Sequence, residues 1–315
     1  MKFIKNYHNP LKILAGPAIG ALLYSLMLQS TENDLMAKTT FVVALMGTWW
    51  ILEAFSIYFT ALIPLSLFPI LGVMDMREIA PAYANDIIFL FTGGFLIAFA
   101  IEKWNLHKRI ALRIMLAIGS EPEKILLGMM LSSYILSMWI SNVATTMMLL
   151  PAALSIVKQF ECDDKTSFLS FSTALFLGIA YASSIGGTAT LVGTAPNIIF
   201  MGFFNENFPE LPAMSFAKWI MFGLPISAVF LVITYFLFKK FFLKNLKLVT
   251  VSLNYCQQEY EKLGKMSKEE ITVSVVFLIT IFLWLFRENI GLGAFEIKGW
   301  SNIFPESKFI TDSTV

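Results

Sequence analysis

An apolar run of this sequence is interrupted by two polar residues. The segment 125–157 carries Ser141 and Asn142 near its centre, within the letters SMWISNVATTMMLLP. In a lipid bilayer, non-helical backbone is tolerated only where protein or a water-filled cavity satisfies its polar groups. A break here would end one helix in free carbonyl groups, which suit a cation, and begin the next with free N–H groups, which suit an anion. The interruption therefore predicts an ion-binding site.

Neighbouring hydroxyl groups favour a cation at this break. Ser137 precedes Ser141 by four residues, so both side chains lie on one face of a helix. Together with Asn142 they offer oxygens that can replace the hydration shell of an alkali cation. The alternative is that these side chains only bond to the preceding helical turn or join neighbouring helices, as Ser and Thr often do in membranes. For this pair of residues alone, both interpretations stay open.

A second interruption follows in the segment GGTATLVGTAPN, residues 186–197. Its glycines permit unwound backbone, and Pro196 prevents simple continuation of a helix. The oxygens and donors of this segment come from Thr188, Thr190, Thr194 and Asn197. Broken helices that meet near the middle of the bilayer are a recurring binding device of secondary transporters. A plain glycine-rich packing helix is the alternative.

The order of these motifs resembles the divalent anion:sodium symporter family, whose members carry dicarboxylates, citrate or sulfate. The stretches that carry the resemblance cover nearly all of residues 39–200: WWILEA with TALIPLSLFPILGV, NDIIFLFTGGFLIAFAIEKWNLHKRIALRI, SMWISNVATTMMLLP and SSIGGTATLVGTAPN. The resemblance implies an inverted-repeat transporter, in which each repeat has a re-entrant hairpin and a broken helix. It also implies a homodimer whose transport domain slides against a scaffold.

The resemblance further implies roles for individual residues. The sodium site would be lined by Ser137, Ser141, Asn142, Gly187 and Gly193. The substrate carboxylate would be bordered by Asn142, Val143, Thr145, Thr194, Pro196 and Asn197. Val143 departs from the family's Ser-Asn-Thr signature, because it lacks the hydroxyl of the third residue. The resemblance implies no cofactor beyond the coupling sodium ion and no other metal.

The composition predicts the class of protein that must position these residues. The chain has 315 residues, of which 57% are hydrophobic and 14% are charged, whereas soluble domains carry about 25% charged residues. Several stretches reach the roughly 20 apolar residues that a transmembrane helix needs. We therefore expect an all-α polytopic membrane protein whose surroundings are lipid, not nucleic acid. A membrane-embedded enzyme is disfavoured, because the sequence reveals no metal cluster and no nucleophile–base pair.

Apolar segments divide the chain into four regions. Residues 1–124 are expected to form scaffold helices, with an interfacial amphipathic helix over 102–124 whose His107 is solvated or faces lipid headgroups. Residues 125–241 form the transport region, residues 242–270 a basic cytoplasmic connector, and residues 271–315 the next membrane helix and a truncated tail. The transport region contains a re-entrant hairpin (125–157), a broken helix (167–204) and a helix (218–238). Cys162 and Cys256 are expected to be reduced structural thiols.

The distribution of Lys and Arg residues along the chain predicts its orientation in a plasma membrane or bacterial inner membrane. If the N-terminus is cytoplasmic and 125–157 returns to its starting side, 17 of the 23 Lys and Arg residues are cytoplasmic and 6 are outside. If 125–157 crossed once instead, Lys239 to Lys268 would face outward, against the rule. The charge bias therefore favours the re-entrant hairpin.

A second Ser-Asn-Thr signature and a second glycine-rich turn are expected for the other repeat, but neither follows residue 200. We therefore expect a sodium-coupled carrier of small divalent anions (succinate, malate, citrate or sulfate class), or else a truncated or split half-transporter that does not transport alone. A sodium-independent exchanger of the same family is a further alternative.

Overall fold

A computed structural model describes residues 9–159, 165–244, 254–292 and 295–315. Helices dominate these residues. The first helices are α1 (Pro10–Thr31), α2 (Asp34–Leu52), α3 (Ile57–Ala61), α4 (Ile63–Leu71), α5 (Met76–Tyr83), α6 (Asp86–Lys103) and α7 (Leu106–Ile118). The later ones are α8 (Pro122–Ser137), α9 (Asn142–Gln159), α10 (Lys165–Gly187), α11 (Ala195–Asn207), α12 (Phe216–Phe238), α13 (Asn254–Lys262) and α14 (Lys268–Leu285). Two short strands, β1 (Ile290–Leu292) and β2 (Phe295–Ile297), pair antiparallel.

Many of these helices are apolar on all sides. Five helical stretches among the described residues are long and apolar enough to cross a membrane: Pro10–Thr31, Asp34–Leu52, Met76–Lys103, Thr166–Gly187 and Phe216–Leu243. A helix that is hydrophobic all round lies in a core or in lipid. The prediction of an all-α polytopic membrane protein is confirmed.

The chain divides into two compact units, residues 1–85 and 86–315. In the first unit, α1 packs along α2. Small residues allow this close approach: Gly16 faces the indole of Trp49, where a Cβ atom would overlap the ring. The Trp49 Nε1 atom donates a hydrogen bond to the Ile13 carbonyl oxygen over 3.0 Å, which fixes the register of the two helices.

The second unit is built around α8, which packs against both α7 and α10. The segment 102–124, grouped with the scaffold in the sequence prediction, therefore belongs to this unit. The prediction that His107 is solvated or faces lipid headgroups is wrong, because the residue is only 9% exposed. Its Nδ1 atom lies 2.9 Å from the Ile101 carbonyl oxygen. Packing against α8 and α13 covers the polar face that the sequence alone assigns to a membrane surface.

Residues 254–270 of the connector are held to α7 by charge. Arg109 and Glu270 form a buried ion pair, in which the Nε and Nη2 atoms donate to the two carboxylate oxygens over 3.0 Å. The Arg109 guanidinium also donates to the carbonyl oxygens of Leu263 and Gly264. This hydrogen bonding holds the pKa of Glu270 below its ordinary value.

Cys256 lies on α13 in the hydrophobic core of the second unit. Burial raises the pKa of its thiol to about 11, so the thiol is protonated and unreactive at neutral pH. The expectation of a free structural thiol is confirmed for Cys256. Cys162 lies outside the described residues.

The segment after α14, predicted as a polar tail, is folded into the second unit. The Asp312 carboxylate accepts hydrogen bonds from the Phe216 backbone N–H over 2.7 Å and from the Arg287 Nε atom over 2.5 Å. The indole of Trp284 donates to the Asp312 carbonyl oxygen over 3.0 Å. Asp312 thus joins the start of α12 to the end of α14.

Candidate functional site

The segment predicted as a re-entrant hairpin contains two helices that fold back on each other. The helix α8 ends at Ser137 and α9 begins at Asn142. Gly128 of α8 lies beside Met115 of α7, and Ala152 of α9 lines a cavity together with the same Met115. In one straight helix, positions 128 and 152 would be about 36 Å apart. The chain therefore turns back at residues 137–142, which we call the hairpin tip.

Hydrogen bonds between residues close in sequence stabilise the hairpin tip. The Ser137 hydroxyl donates to the Asn142 Oδ1 atom over 2.6 Å. The Ser141 hydroxyl accepts a hydrogen bond from the Ala144 N–H over 3.2 Å, which satisfies one free donor at the start of α9. The hydroxyl groups of Ser137 and Ser141 therefore both form hydrogen bonds within a few residues of Asn142.

The segment predicted as a broken helix contains two helices with a gap between them. The helix α10 ends at Gly187 and α11 begins at Ala195, and residues 188–194 between them form the helix break. Asn197 is buried, and its amide nitrogen donates to the Gly187 and Thr190 carbonyl oxygens over 2.8 and 2.7 Å. Pro196 sits in the first turn of α11, where its missing N–H group leaves no helical bond unmade.

The hairpin tip and the helix break contact each other directly. The Thr190 hydroxyl donates to the Met138 carbonyl oxygen and accepts from the Gly193 N–H over 3.1 Å. A Cβ atom on Gly187 would lie 2.5 Å from the Asn142 Oδ1 atom, and one on Gly193 would lie 3.0 Å from the Ser137 carbonyl oxygen. Glycine is required at both positions because the two segments approach so closely.

A cavity of 280 Å³ opens at this junction, which we call the tip cavity. Three elements line it: Phe91, Gly94 and Phe95 from α6, Trp139, Ser141, Asn142 and Val143 from the hairpin, and Val192, Gly193, Thr194 and Ala195 from the helix break and the start of α11. None of these lining residues is charged. The first residues of α9 and α11 both reach the cavity, so two helix N-termini offer positive dipole ends to an anion.

The structure brings most of the predicted site residues together. Ser141, Asn142, Val143, Gly193 and Thr194 line the tip cavity, and Ser137 and Gly187 lie directly beside Asn142. Pro196 is exposed at the start of α11, and the amide nitrogen of Asn197 is committed to the helix break. Thr145 is separate from this group, because it is 1% exposed and lines a different cavity.

Aromatic residues of the tip cavity escaped the sequence reasoning. Phe91 and Phe95 of α6 and Trp139 of the hairpin tip supply apolar rings to the cavity lining. The signal was the segment NDIIFLFTGGF, which carried part of the family resemblance without suggesting a role for its aromatic rings. Apolar rings beside helix N-termini suit an anion with a hydrocarbon chain.

Two broken helical elements that meet in this way define a membrane protein of the secondary transporter class. A family model described as citrate transporter matches residues 48–297. The chain belongs to this citrate transporter family.

Curated relatives agree with this assignment. The sodium-dependent dicarboxylate transporter SdcS of Staphylococcus saprophyticus is 40% identical over 298 residues, which cover 91% of this chain and 56% of that protein. The protein of the same name from Staphylococcus aureus strain NCTC 8325 is 39% identical over 297 residues, which again cover 91% of this chain and 56% of that protein. The resemblance to divalent anion:sodium symporters is confirmed. The chain spans about half the length of the curated relatives it matches.

Proposed function

We propose that this chain carries a sodium and dicarboxylate site of a sodium-coupled secondary transporter, not of an enzyme. The observation that carries the proposal is the direct contact between the hairpin tip and the helix break around Asn142. The names of the relatives support the choice of sodium and of a dicarboxylate.

In this proposal the sodium ion binds on the carbonyl side of the junction. Ser137 and Asn142 supply side-chain oxygens, and the ends of α8 and α10 supply backbone oxygens near Gly187 and Gly193. The sodium site therefore comprises Ser137, Ser141, Asn142, Gly187 and Gly193. Oxygen ligands of this kind suit a hard cation.

The anion occupies the tip cavity against the N-termini of α9 and α11. Asn142 and Thr194 offer hydrogen bonds to a carboxylate, and Val143 contacts its hydrocarbon chain. Pro196 and Asn197 act as positioning residues, since the Asn197 amide holds the helix break in shape. Thr145, on the other side of α9, contacts the anion only if the hairpin rearranges.

The arrangement in the membrane follows the charge bias. The N-terminus is cytoplasmic, the hairpin enters and leaves on the cytoplasmic side, and the protein lies in a plasma membrane or bacterial inner membrane. A homodimer in which a transport domain moves against a scaffold completes the proposal.

The test is binding and uptake by the purified chain in liposomes. Radiolabelled succinate binding and uptake should rise when choline chloride is replaced by sodium chloride, and citrate and sulfate should serve as competing probes. Asn142→Ala should abolish the sodium dependence, because both the Ser137 contact and the cavity oxygen are lost.

Asn207→Ala is the matched control, because Asn207 lies on the exposed end of α11 and bonds only locally. Succinate binding that is independent of sodium would instead indicate an exchanger. Sodium-dependent binding that survives Asn142→Ala would refute the proposed site.

A further inference from the structure

A second cavity, of 260 Å³, lies on the other side of the first turn of α9. We call it the rear cavity, and it is lined by Glu102, Asn105, His107, Ile140, Ala144, Thr145 and Met148. Ser141, Asn142 and Val143 face the tip cavity, whereas Ile140, Ala144 and Thr145 face the rear one. A single turn of the hairpin therefore separates two cavities.

Thr145 lines the rear cavity and carries an unsatisfied hydroxyl group within its wall. The residue is 1% exposed, and its hydroxyl has no hydrogen-bond partner among the residues that the structure describes. A buried hydroxyl without a partner costs about 1–3 kcal/mol. Because this oxygen has almost no accessible surface, a ligand in the rear cavity would remove this cost only after the Thr145 side chain rotates toward it.

His107 presents a lone pair in the same place. Its Nδ1 atom lies 2.9 Å from the Ile101 carbonyl oxygen, and because a carbonyl can only accept, Nδ1 must carry the proton. Burial lowers the pKa of His107, so the ring is neutral at neutral pH and its Nε2 atom is an acceptor.

Glu102 is the charged residue of the rear cavity. Its side chain is half-buried near the end of α6, and no ion pair to it occurs among the described residues. The nearby Lys108 pairs with Glu259 over 2.6 Å instead. The cavity thus combines one negative charge with the hydroxyl of Thr145, the amide of Asn105 and the imidazole of His107.

We propose that the rear cavity binds a partly hydrated alkali cation. One carboxylate balances one positive charge, and neutral oxygen ligands complete the shell of a hard cation. Since a water molecule occupies about 30 Å³ in the liquid, the cavity has room for an ion with several of its waters. A half-buried acid at the end of an apolar helix, without an ion-pair partner among the described residues, is a candidate cation ligand. This site is distinct from the sodium site proposed at the hairpin tip.

The experiment is equilibrium binding of ²²Na⁺, and of ⁸⁶Rb⁺ in a parallel arm, to the purified full chain in detergent with choline as the background cation. Glu102→Gln keeps the size of the side chain and removes its charge. It should weaken binding of one class of sites at least about tenfold. Thr145→Val, which keeps the shape and removes the hydroxyl, should weaken the same class in the same direction.

Glu210→Gln is the control, because Glu210 is an exposed acid outside both cavities. Size-exclusion profiles and circular dichroism establish that each variant is folded. If Glu102→Gln and Thr145→Val both bind cations as the wild type does, the rear site is refuted. Loss of binding in Glu102→Gln but not in Asn142→Ala would support the rear site and refute the tip site. Loss of binding in Asn142→Ala but not in Glu102→Gln would support the tip site and refute the rear site.

Discussion

Asn142 has little freedom at the hairpin tip, because Ser137 holds its Oδ1 atom on one side and Gly187 lies against it on the other. Gly187→Ala would place a Cβ atom 2.5 Å from that oxygen and push the amide away from Ser137. We expect sodium affinity to fall roughly 5- to 150-fold, since one to a few hydrogen-bonded polar groups lose their partners.

The measurement is ²²Na⁺ binding to the purified variant. Gly93→Ala is the matched control, because a Cβ atom at Gly93 of α6 meets nothing within 4 Å. Equal sodium affinity in the Gly187 and Gly93 variants would contradict the proposed position of the ion.

Substitution of Val143 tests the proposed position of the anion in the tip cavity. It is 74% exposed in the tip cavity, where the family signature has Thr. Val143→Thr restores the hydroxyl at nearly constant shape and should tighten succinate binding by about 1 kcal/mol, or roughly fivefold. Titration of the purified variant with labelled succinate measures this, and Val143→Ala should not tighten binding. An unchanged affinity in Val143→Thr would mean that the anion does not reach this residue.

The residues of the site could be predicted only in part. Ser137, Asn142 and Gly187 stood out because polar side chains and glycines are costly in an apolar run unless they are used. Thr145 was grouped with them by its closeness in sequence. Each helical residue advances by about 100° around the helix axis. The sequence does not give the angle at which α9 begins. The side of the helix that Thr145 faces was therefore not predictable.

The helical hairpin of α8 and α9 can be tested as an element in the membrane. We expect that Lys124→Cys and Lys158→Cys, placed near its two ends, are both labelled from the cytoplasmic side. Both lysines are exposed. The experiment uses a membrane-impermeant maleimide on inside-out and right-side-out vesicles, with the native cysteines replaced by alanine.

Arg77→Cys serves as the control for the opposite face, because Arg77 is exposed and predicted to lie outside. Labelling of the two hairpin ends from opposite sides of the membrane would show that the segment crosses it once.

Among the elements, both breaks were predictable and the environment of α7 was not. The helix ends at Ser137 and Gly187 lie at the predicted interruptions, because glycine, proline and polar residues interrupt apolar runs. The pattern of α7 identified an amphipathic helix correctly. Such a pattern shows that one face is polar but not what covers it. Part of the cover of α7 comes from α13 and from Glu270, far along the chain.

At the scale of the whole molecule, the Arg109–Glu270 pair links distant parts of the second unit. Both side chains are less than 10% exposed, and removing one member of a buried pair leaves an uncompensated charge at a cost of about 3–5 kcal/mol. We therefore expect Glu270→Gln to lower the free energy of unfolding in detergent by about 3–5 kcal/mol, which a thermal melt would detect. Arg109→Met combined with Glu270→Met should recover much of the loss.

Arg113→Met is the control, because Arg113 is exposed on the same helix. If Glu270→Gln melts at the same temperature as Arg113→Met, the pair does not contribute to stability. The pKa of Glu270 is lowered in the folded protein. The stabilisation should therefore be complete above the ordinary pKa of a glutamate and should disappear as the pH falls through the lowered value.

The same ion pair has a consequence for biosynthesis. Glu270 follows Arg109 by 161 residues, and ribosomes add about 5–20 residues per second. A newly made α7 therefore waits roughly 8–32 s for its partner. We expect the Arg109 guanidinium to stay hydrated during this interval, because its ion-pair partner does not yet exist. The pair can form only after translation has passed the start of α14.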